Sequence, residues 1–232
     1  MRTLGLIGGI SWQSTLLYYR YLNEGAARRL GEGHNCPHVL VTADFHAIHE
    51  RQQRGAWSEL NDMMAEYGRR LQRAGAEAIV ICANTMHLCA PAIEAATGLP
   101  VLHIADATGA AIKEQDISQV GLLGTRYTME KDFLKARLRE RFDVEVIVPL
   151  PLQRADIHEV IYEELTRGIL TEPSRKRYAE VVEALAERGA NGVILGCTEI
   201  PLLIGDEDVS IPTFDTTRLH AEAALEWALG GR

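Results

Sequence analysis

The stretch AEAIVICANTMH (residues 76–87), read beside NGVILGCTEI (residues 191–200), decides the fold of this chain. Each is a short apolar run that ends on a cysteine and then turns polar. Cys82 leads into Asn84 and Thr85, and Cys197 leads into Thr198 and Glu199. Apolar runs of this length read as strands buried on both faces, as parallel sheets require. Open α/β folds gather their ligands at the carboxyl ends of such strands. Two thiols are therefore expected at two ligand-binding strand ends.

Working outward, strand-like runs alternate with amphipathic stretches along the whole chain. The strands are predicted at Leu4–Gly8, His38–Ala43, Ala78–Cys82, Val101–Ile104, Val120–Gly124, Val144–Val148, Gly192–Cys197 and Ile211–Phe214. Ser14–Arg29, Ser58–Arg73, Met129–Arg141 and Ser174–Arg188 carry apolar residues at spacings of three and four and are predicted helices. Such alternation implies parallel sheets with right-handed crossovers. The two halves also match in order. Gly5-Leu-Ile-Gly8 matches Gly121-Leu-Leu-Gly124 at an offset of 116, and the runs before Cys82 and Cys197 match at 115. Leu99-Pro100 matches Ile211-Pro212 at 112. The prediction is a duplicated α/β unit: two pseudo-symmetric doubly wound domains, each with a four-stranded parallel sheet, and an active site in the cleft between them. One domain is assigned to residues 1–104 plus 215–232, the other to 105–214, with crossings near 104–118 and 207–215. A final helix from Asp215 to Leu229 returns to the first half.

Composition narrows the function classes. A chain of 232 residues with 47% hydrophobic and 24% charged residues can bury one large or two small cores. Its net charge of −8 argues against nucleic acid or an anionic membrane as the main partner. No apolar run approaches the roughly 20 residues of a membrane span. The Gly-interrupted segment Leu4–Ile10 reads as a buried strand rather than a signal sequence. Four cysteines without framework spacing indicate reduced thiols and a cytoplasmic setting.

Two thiols flanking one carbon can remove a proton from one face and return it on the other. An amino-acid α-hydrogen is very weakly acidic, and the usual electron sink, PLP, needs a Schiff-base lysine. The four lysines, Lys113, Lys131, Lys135 and Lys176, fall in charged helix-like or joining segments, and none ends a strand. No cofactor is expected. Cysteine can serve as the base where helix N-termini lower its pKa, and the same backbone N–H groups can bind a substrate carboxylate. Gly5, Gly8 and Gly9 fit neither a dinucleotide nor a Walker loop and read as a tight strand-to-helix turn, with Ser11 and Trp12 lining the cleft. His34, Cys36, His38, His46 and His49 lack zinc spacing, so no metal site is assigned. Cys36 reads as a loop thiol and Cys89 as a buried helix residue. His87 either positions the Cys82 motif or simply packs. Glu199 could tune Cys197, bind a substrate amine or cap a helix start.

At these residues the chain resembles the aspartate/glutamate racemase family, closest to its broad-specificity branch. The motifs are Gly8-Gly-Ile-Ser-Trp-Gln-Ser-Thr15, Cys82-Ala-Asn-Thr-Met-His87, Leu123-Gly-Thr-Arg-Tyr-Thr-Met129, Leu195-Gly-Cys-Thr-Glu-Ile200 and Phe214-Asp-Thr-Thr-Arg-Leu-His-Ala221. The resemblance implies PLP-independent racemisation by Cys82 and Cys197, a pseudo-symmetric two-domain fold and a homodimer acting on a small-molecule amino-acid substrate. It also implies that Asn84, Thr85, Thr125 and Thr198 hold the α-carboxylate, with Thr128 beside Thr125. Cys197 would face the L-enantiomer and Cys82 the D-enantiomer.

One departure bears on the substrate. Aspartate-specific members use an Arg after the second strand, to which Arg51 can align, and a Lys in a helix of the second domain. Here that region reads Ile161-Tyr-Glu-Glu-Leu-Thr166, where Glu163 and Glu164 would repel an acidic side chain if either pointed inward. Aspartate is therefore not expected to be the sole good substrate. A Cys-dependent decarboxylase, a maleate isomerase-like enzyme and a non-catalytic amino-acid-binding protein are the alternatives. Retention of both thiols disfavours the first and the last.

Overall fold

The computed structural model describes Met1–Gly231, which form two four-stranded parallel sheets with flanking helices. In chain order the elements are β1 (Leu4–Gly8), α1 (Trp12–Leu30), β2 (His38–Thr42), α2 (Phe45–Arg54), α3 (Trp57–Arg73), β3 (Ala78–Ile81), α4 (Ala90–Thr97) and β4 (Val101–Leu102). They continue with α5 (Ile104–Glu114), β5 (Gln119–Gly124), α6 (Arg126–Glu130), α7 (Phe133–Phe142), β6 (Glu145–Ile147) and α8 (Pro151–Glu163). The chain closes with α9 (Glu172–Glu187), β7 (Val193–Gly196), β8 (Thr213–Asp215) and α10 (Thr216–Ala228). The strand orders are β2-β1-β3-β4 and β6-β5-β7-β8, the same order twice.

The chain divides into two compact units, Met1–His103 with His220–Arg232, and Ile104–Leu219. The return crossing thus falls inside α10 rather than near 207–215. The first turn of α10 is held by the second sheet, where Thr216 Oγ1 donates to the Leu195 carbonyl at 2.9 Å. Its later residues Ala221, Ala224 and Leu225 join Leu4, Leu6, Tyr18, Leu22 and Val80 in the first unit.

In the first unit the strand period of two divides the sheet between two cores. Leu4, Leu6, Val80 and Cys82 face α1 and α10. Ile7, Ile79 and Ile81 face the other way, onto Ile48 of α2, Leu60 and Met64 of α3, and Ile93 of α4. Helix α1 starts at Ser11, whose side chain accepts from Ser14 N–H, and it buries Tyr18, Leu22 and Ala26 at spacings of four. In the second unit Val120, Leu122, Val193 and Ile194 pack with Ile112 of α5, Leu138 of α7, Ile157 of α8 and Val182 of α9. Tyr178 Oη ties α9 to α8 through the Ile157 carbonyl at 2.9 Å.

The expected helix Met129–Arg141 is two helices, α6 and α7, because the chain turns extended at Lys131 (ψ 154°). Lys135 Nζ closes the break by donating to the Met129 and Glu130 carbonyls at 3.1 and 3.4 Å, supplying the cation a helix end favours. The expected strand Val101–Ile104 pairs only over Val101–Leu102, and Ile104 already opens α5. Gly9 makes the tight turn after β1. Its φ is +77°, and a Cβ there would lie 2.2 Å from the Ala43 carbonyl oxygen, so only glycine fits.

Candidate active site

Cys82 and Cys197 occupy equivalent places in their own sheets. Each is the first residue past the third strand, β3 and β7, and each third strand lies beside the first strand of its unit. The second sheet brings its backbones close at this end. Gly124 pairs with Gly196, and a Cβ on Gly196 would sit 2.7 Å from the Leu123 carbonyl oxygen. Thr125 and Cys197 follow directly from that pair.

The turns after the two cysteines differ from the expected α-helix N-termini. Cys82 leads into a 3-10 turn over Thr85–Cys89, and Cys197 into a shorter one over Ile200–Leu202. Turns this short carry little dipole, so they do little to offset the cost of burying a thiolate. Burial pushes the Cys82 thiol well up, and the Cys197 thiol is raised by burial and then by the Glu199 charge. Neither is held as a thiolate by its own surroundings.

In the second unit the Cys197 thiol donates to Glu199 Oε2 at 3.0 Å, and Thr198 Oγ1 donates to the same oxygen at 2.7 Å. All three side chains are buried. Glu199 is thus directed onto the thiol and not onto a helix start. Thr125 caps α6 by accepting from Thr128 N–H at 3.3 Å, and the two hydroxyls lie 3.2 Å apart.

In the first unit the Cys82 carbonyl accepts from Ser14 Oγ at 2.8 Å. The buried His87 ring reaches back to the Ala83 carbonyl at 2.9 Å through Nδ1. Burial, with His103 beside it, holds His87 well below the ordinary imidazole range, so the ring is neutral and its Nδ1 donates. Asn84 and Thr85 are buried on the same turn. Behind it lie His103 and His220, whose ring centroids are 4.7 and 5.3 Å from that of His87. Tyr18 Oη and the Leu102 carbonyl hold the two nitrogens of His220 at 2.7 and 2.6 Å. Gly9, Trp12, Thr15, Leu16 and Thr42 line an apolar hollow of about 160 Å³ above β1 and β2. Ser11, the cap of α1, directly precedes Trp12.

Three residues from the sequence reading have structural partners that change their meaning. Arg51 is engaged by Glu59 at 3.2 Å and by the Ala47 carbonyl at 2.8 Å. Glu163 pairs with Arg167 at 2.7 Å, and Glu164 accepts from Ser174 Oγ at 2.7 Å at the start of α9. The condition set for repulsion, that either carboxylate points inward, has no support, because Glu163 is engaged by Arg167 of the 3-10 turn that follows α8 and Glu164 by Ser174 of α9. Cys36 is a loop residue as expected but is fully packed, its thiol pushed up to about 11 by burial. Ser14, His220 and Tyr162 carry side chains at or behind the cysteine turns and were not singled out. All three stand inside segments quoted above, which is the one signal the sequence offers for them. Among the described residues no group of three or more His, Cys, Asp or Glu side chains could hold a metal ion, and no helix is long and apolar enough to cross a membrane.

Two repeated parallel sheets, each ending its third strand in a buried thiol, define a two-domain α/β class. The chain belongs to the Asp/Glu/Hydantoin racemase family, whose model matches residues 7–224. It is similar to the crystal structure of a protein from Yersinia pestis assigned as an Asp/Glu racemase, at 49% identity and a TM-score of 0.93, covering 99% of this chain and 100% of that one. It is similar also to an aspartate racemase homologue from Pyrococcus horikoshii OT3, at 32% identity and a TM-score of 0.86, with 99% and 100% covered. An arylmalonate decarboxylase shares the fold at 16% identity and a TM-score of 0.54, covering 99% of this chain and 94% of that one.

Proposed function

We propose that this chain is a PLP-independent amino-acid racemase in which Cys82 and Cys197 act on opposite faces of one substrate α-carbon. The observation that carries the reading is the equivalent placement of the two thiols, each one residue past the third strand of an identically ordered sheet. In the L-to-D direction the Cys197 thiol passes its proton to Glu199 Oε2, and the resulting thiolate takes the α-hydrogen. The Cys82 thiol then protonates the carbanion from the other face. A carboxylate 3.0 Å from the sulfur makes the first transfer short and internal.

The hydroxyls of Thr85, Thr125, Thr128 and Thr198 and the amide of Asn84, with Ser11 and Trp12 beside them, are assigned to substrate binding. His87 and Ser14 position the Cys82 turn by holding its carbonyl groups. Arg51 is assigned to the substrate only if its Glu59 contact exchanges for a substrate carboxylate. The lysines support a cofactor-free reaction: Lys135 is spent on helix carbonyls, and Lys176 lies 3.9 Å from Glu180. Two reduced thiols require a reducing compartment, so a cytoplasmic location belongs to the proposal. So does the homodimer implied by the family resemblance, which light scattering on the eluting protein checks.

The direct test is α-proton exchange in D2O across a panel of amino acids, with purified protein and no added PLP. Exchange at Cα accompanied by loss of optical rotation supports the reading. Exchange with no amino acid, while a malonate is decarboxylated, would replace it with the decarboxylase.

A further inference from the structure

The Cys197 half-site has a flank that neither cysteine motif supplies. His158 and Tyr162 stand one turn apart on α8, with ring centroids 4.7 Å from each other in an edge-on contact. Tyr127 of α6 meets the other side of His158, also edge-on, at 6.0 Å. The three rings are half-buried, while Ile157, Val160 and Ile161 turn the rest of α8 into the core. The cluster is tied to the thiol by topology. Tyr127 stands three residues past Gly124, Cys197 stands one residue past Gly196, and those two glycines are paired across β5 and β7.

We propose that Tyr127, His158 and Tyr162 form the wall against which the substrate side chain lies, and that the wall selects uncharged side chains over those of aspartate and glutamate. This rests on the racemase reading and names its substrate class.

Ring edges and faces offer an apolar surface with a few polar tips, suited to apolar or neutral polar groups. His158 Nδ1 accepts the Arg126 backbone N–H at 3.3 Å, the geometry of a neutral ring protonated on Nε2. The imidazole thus supplies a donor and not a positive charge. The adjoining cation, Arg126, is exposed, with its guanidinium carbon 5.5 Å from the Tyr127 ring centroid. The Tyr162 phenol is pushed up by burial and then by Cys197, Tyr127 and Glu199, while Arg126 has the smallest influence on it. A substrate carboxylate laid against these three rings would lose water with no cation among them to offset the cost. The residues first held responsible, Glu163 and Glu164, are turned away to Arg167 and Ser174, so discrimination falls to the rings beside them.

The test compares kcat/KM for α-proton exchange of aspartate and of methionine in the full-length protein, its Tyr162→Lys variant and its His158→Lys variant. Circular dichroism verifies that each is folded. The wild-type protein should favour methionine by at least about tenfold, the scale of a single pocket contact. Either lysine variant should move the aspartate-to-methionine ratio about tenfold or more toward aspartate. The second variant keeps the test alive if the first does not fold. A wild-type preference for aspartate, or a ratio that neither folded variant moves, overturns the wall and leaves the racemase standing. Exchange with no amino acid at all overturns the racemase reading and the wall together.

Discussion

At the scale of single residues, the two thiols are chemically unlike. Cys197 is hydrogen-bonded to a buried carboxylate, while Cys82 lies in an apolar cluster with Leu6, Tyr18 and Val80. Replacing either by serine should reduce racemisation by about 10²- to 10⁴-fold, because a hydroxyl is a far weaker acid and base partner at neutral pH. The two variants should still differ. Cys82→Ser should retain elimination from an L-substrate carrying a β-leaving group, and Cys197→Ser from the D-form. Steady-state assays on both enantiomers check this, and full racemisation by either variant would show that the pair does not act as opposed acid and base. Glu199→Gln gives a sharper reading. The Glu199 charge raises the Cys197 thiol, so removing it should move the pH midpoint of Cys197 alkylation downward. The same change removes the proton acceptor, so kcat should fall about 10²-fold even as the thiolate becomes easier to form. A purely structural Glu199 would leave the alkylation midpoint where it was.

The elements show where a local rule sufficed and where packing intervened. The strands and the glycine turn were readable from pattern, and Gly9 gives a test of why. Gly9→Ala should cost more than about 1 kcal/mol, since alanine at positive φ is strained, and here the new Cβ would also strike the Ala43 carbonyl at 2.2 Å. Gly31→Ala, at φ +104° with nothing within 4 Å, carries the strain alone and should be the milder change. Paired urea denaturation curves separate the two, and equal costs would mean that crowding at Gly9 is relieved by movement. The break between α6 and α7 was not readable, because no Gly or Pro marks it. It depends on Lys135 reaching back from the next helix. The 3-10 turn after Cys82 is hidden from sequence for a similar reason: carbonyls that could start an α-helix are claimed instead by Ser14 of α1 and by the His87 ring.

At the scale of the whole molecule, buried titratable groups set a pH window for stability. All four cysteines are buried and have raised pKa values, Cys36 to about 11 and Cys89 to about 12. An unfolded cysteine titrates near about 8.5. Above that pH the unfolded chain loses thiol protons that the folded chain keeps, so stability falls as pH rises. His87 works in the opposite direction. Its folded pKa is well below that of the unfolded residue, so below about pH 6.5 the unfolded chain binds a proton the folded one does not. The melting temperature should therefore peak between about pH 6.5 and 8.5. Calorimetry across pH 5 to 10 checks this, and His87→Gln should flatten the acid limb. Activity should survive chelators and carbonyl reagents but not thiol alkylation, and bound substrate should protect.

Chain-local information was enough for the repeat, for the parallel strands and for the place of each cysteine at the end of a buried strand. All of these follow from apolar periodicity, from glycines that a turn or close approach demands, and from polar residues placed directly after a buried strand. Neighbours far apart in sequence decided the rest. Sequence leaves open whether Glu163 and Glu164 point inward; their partners lie in the 3-10 turn after α8 and on α9. Arg51 aligns by sequence with a substrate-binding Arg, and only the fold shows that Glu59 of α3 reaches it. Tyr18 and His220 are 202 residues apart and share a hydrogen bond. A strand's burial is written in its own residues, because water is excluded from both faces by composition alone. The direction in which a long polar side chain points is set by whichever partner the folded chain brings within about 3 Å, and only the tertiary structure supplies that partner.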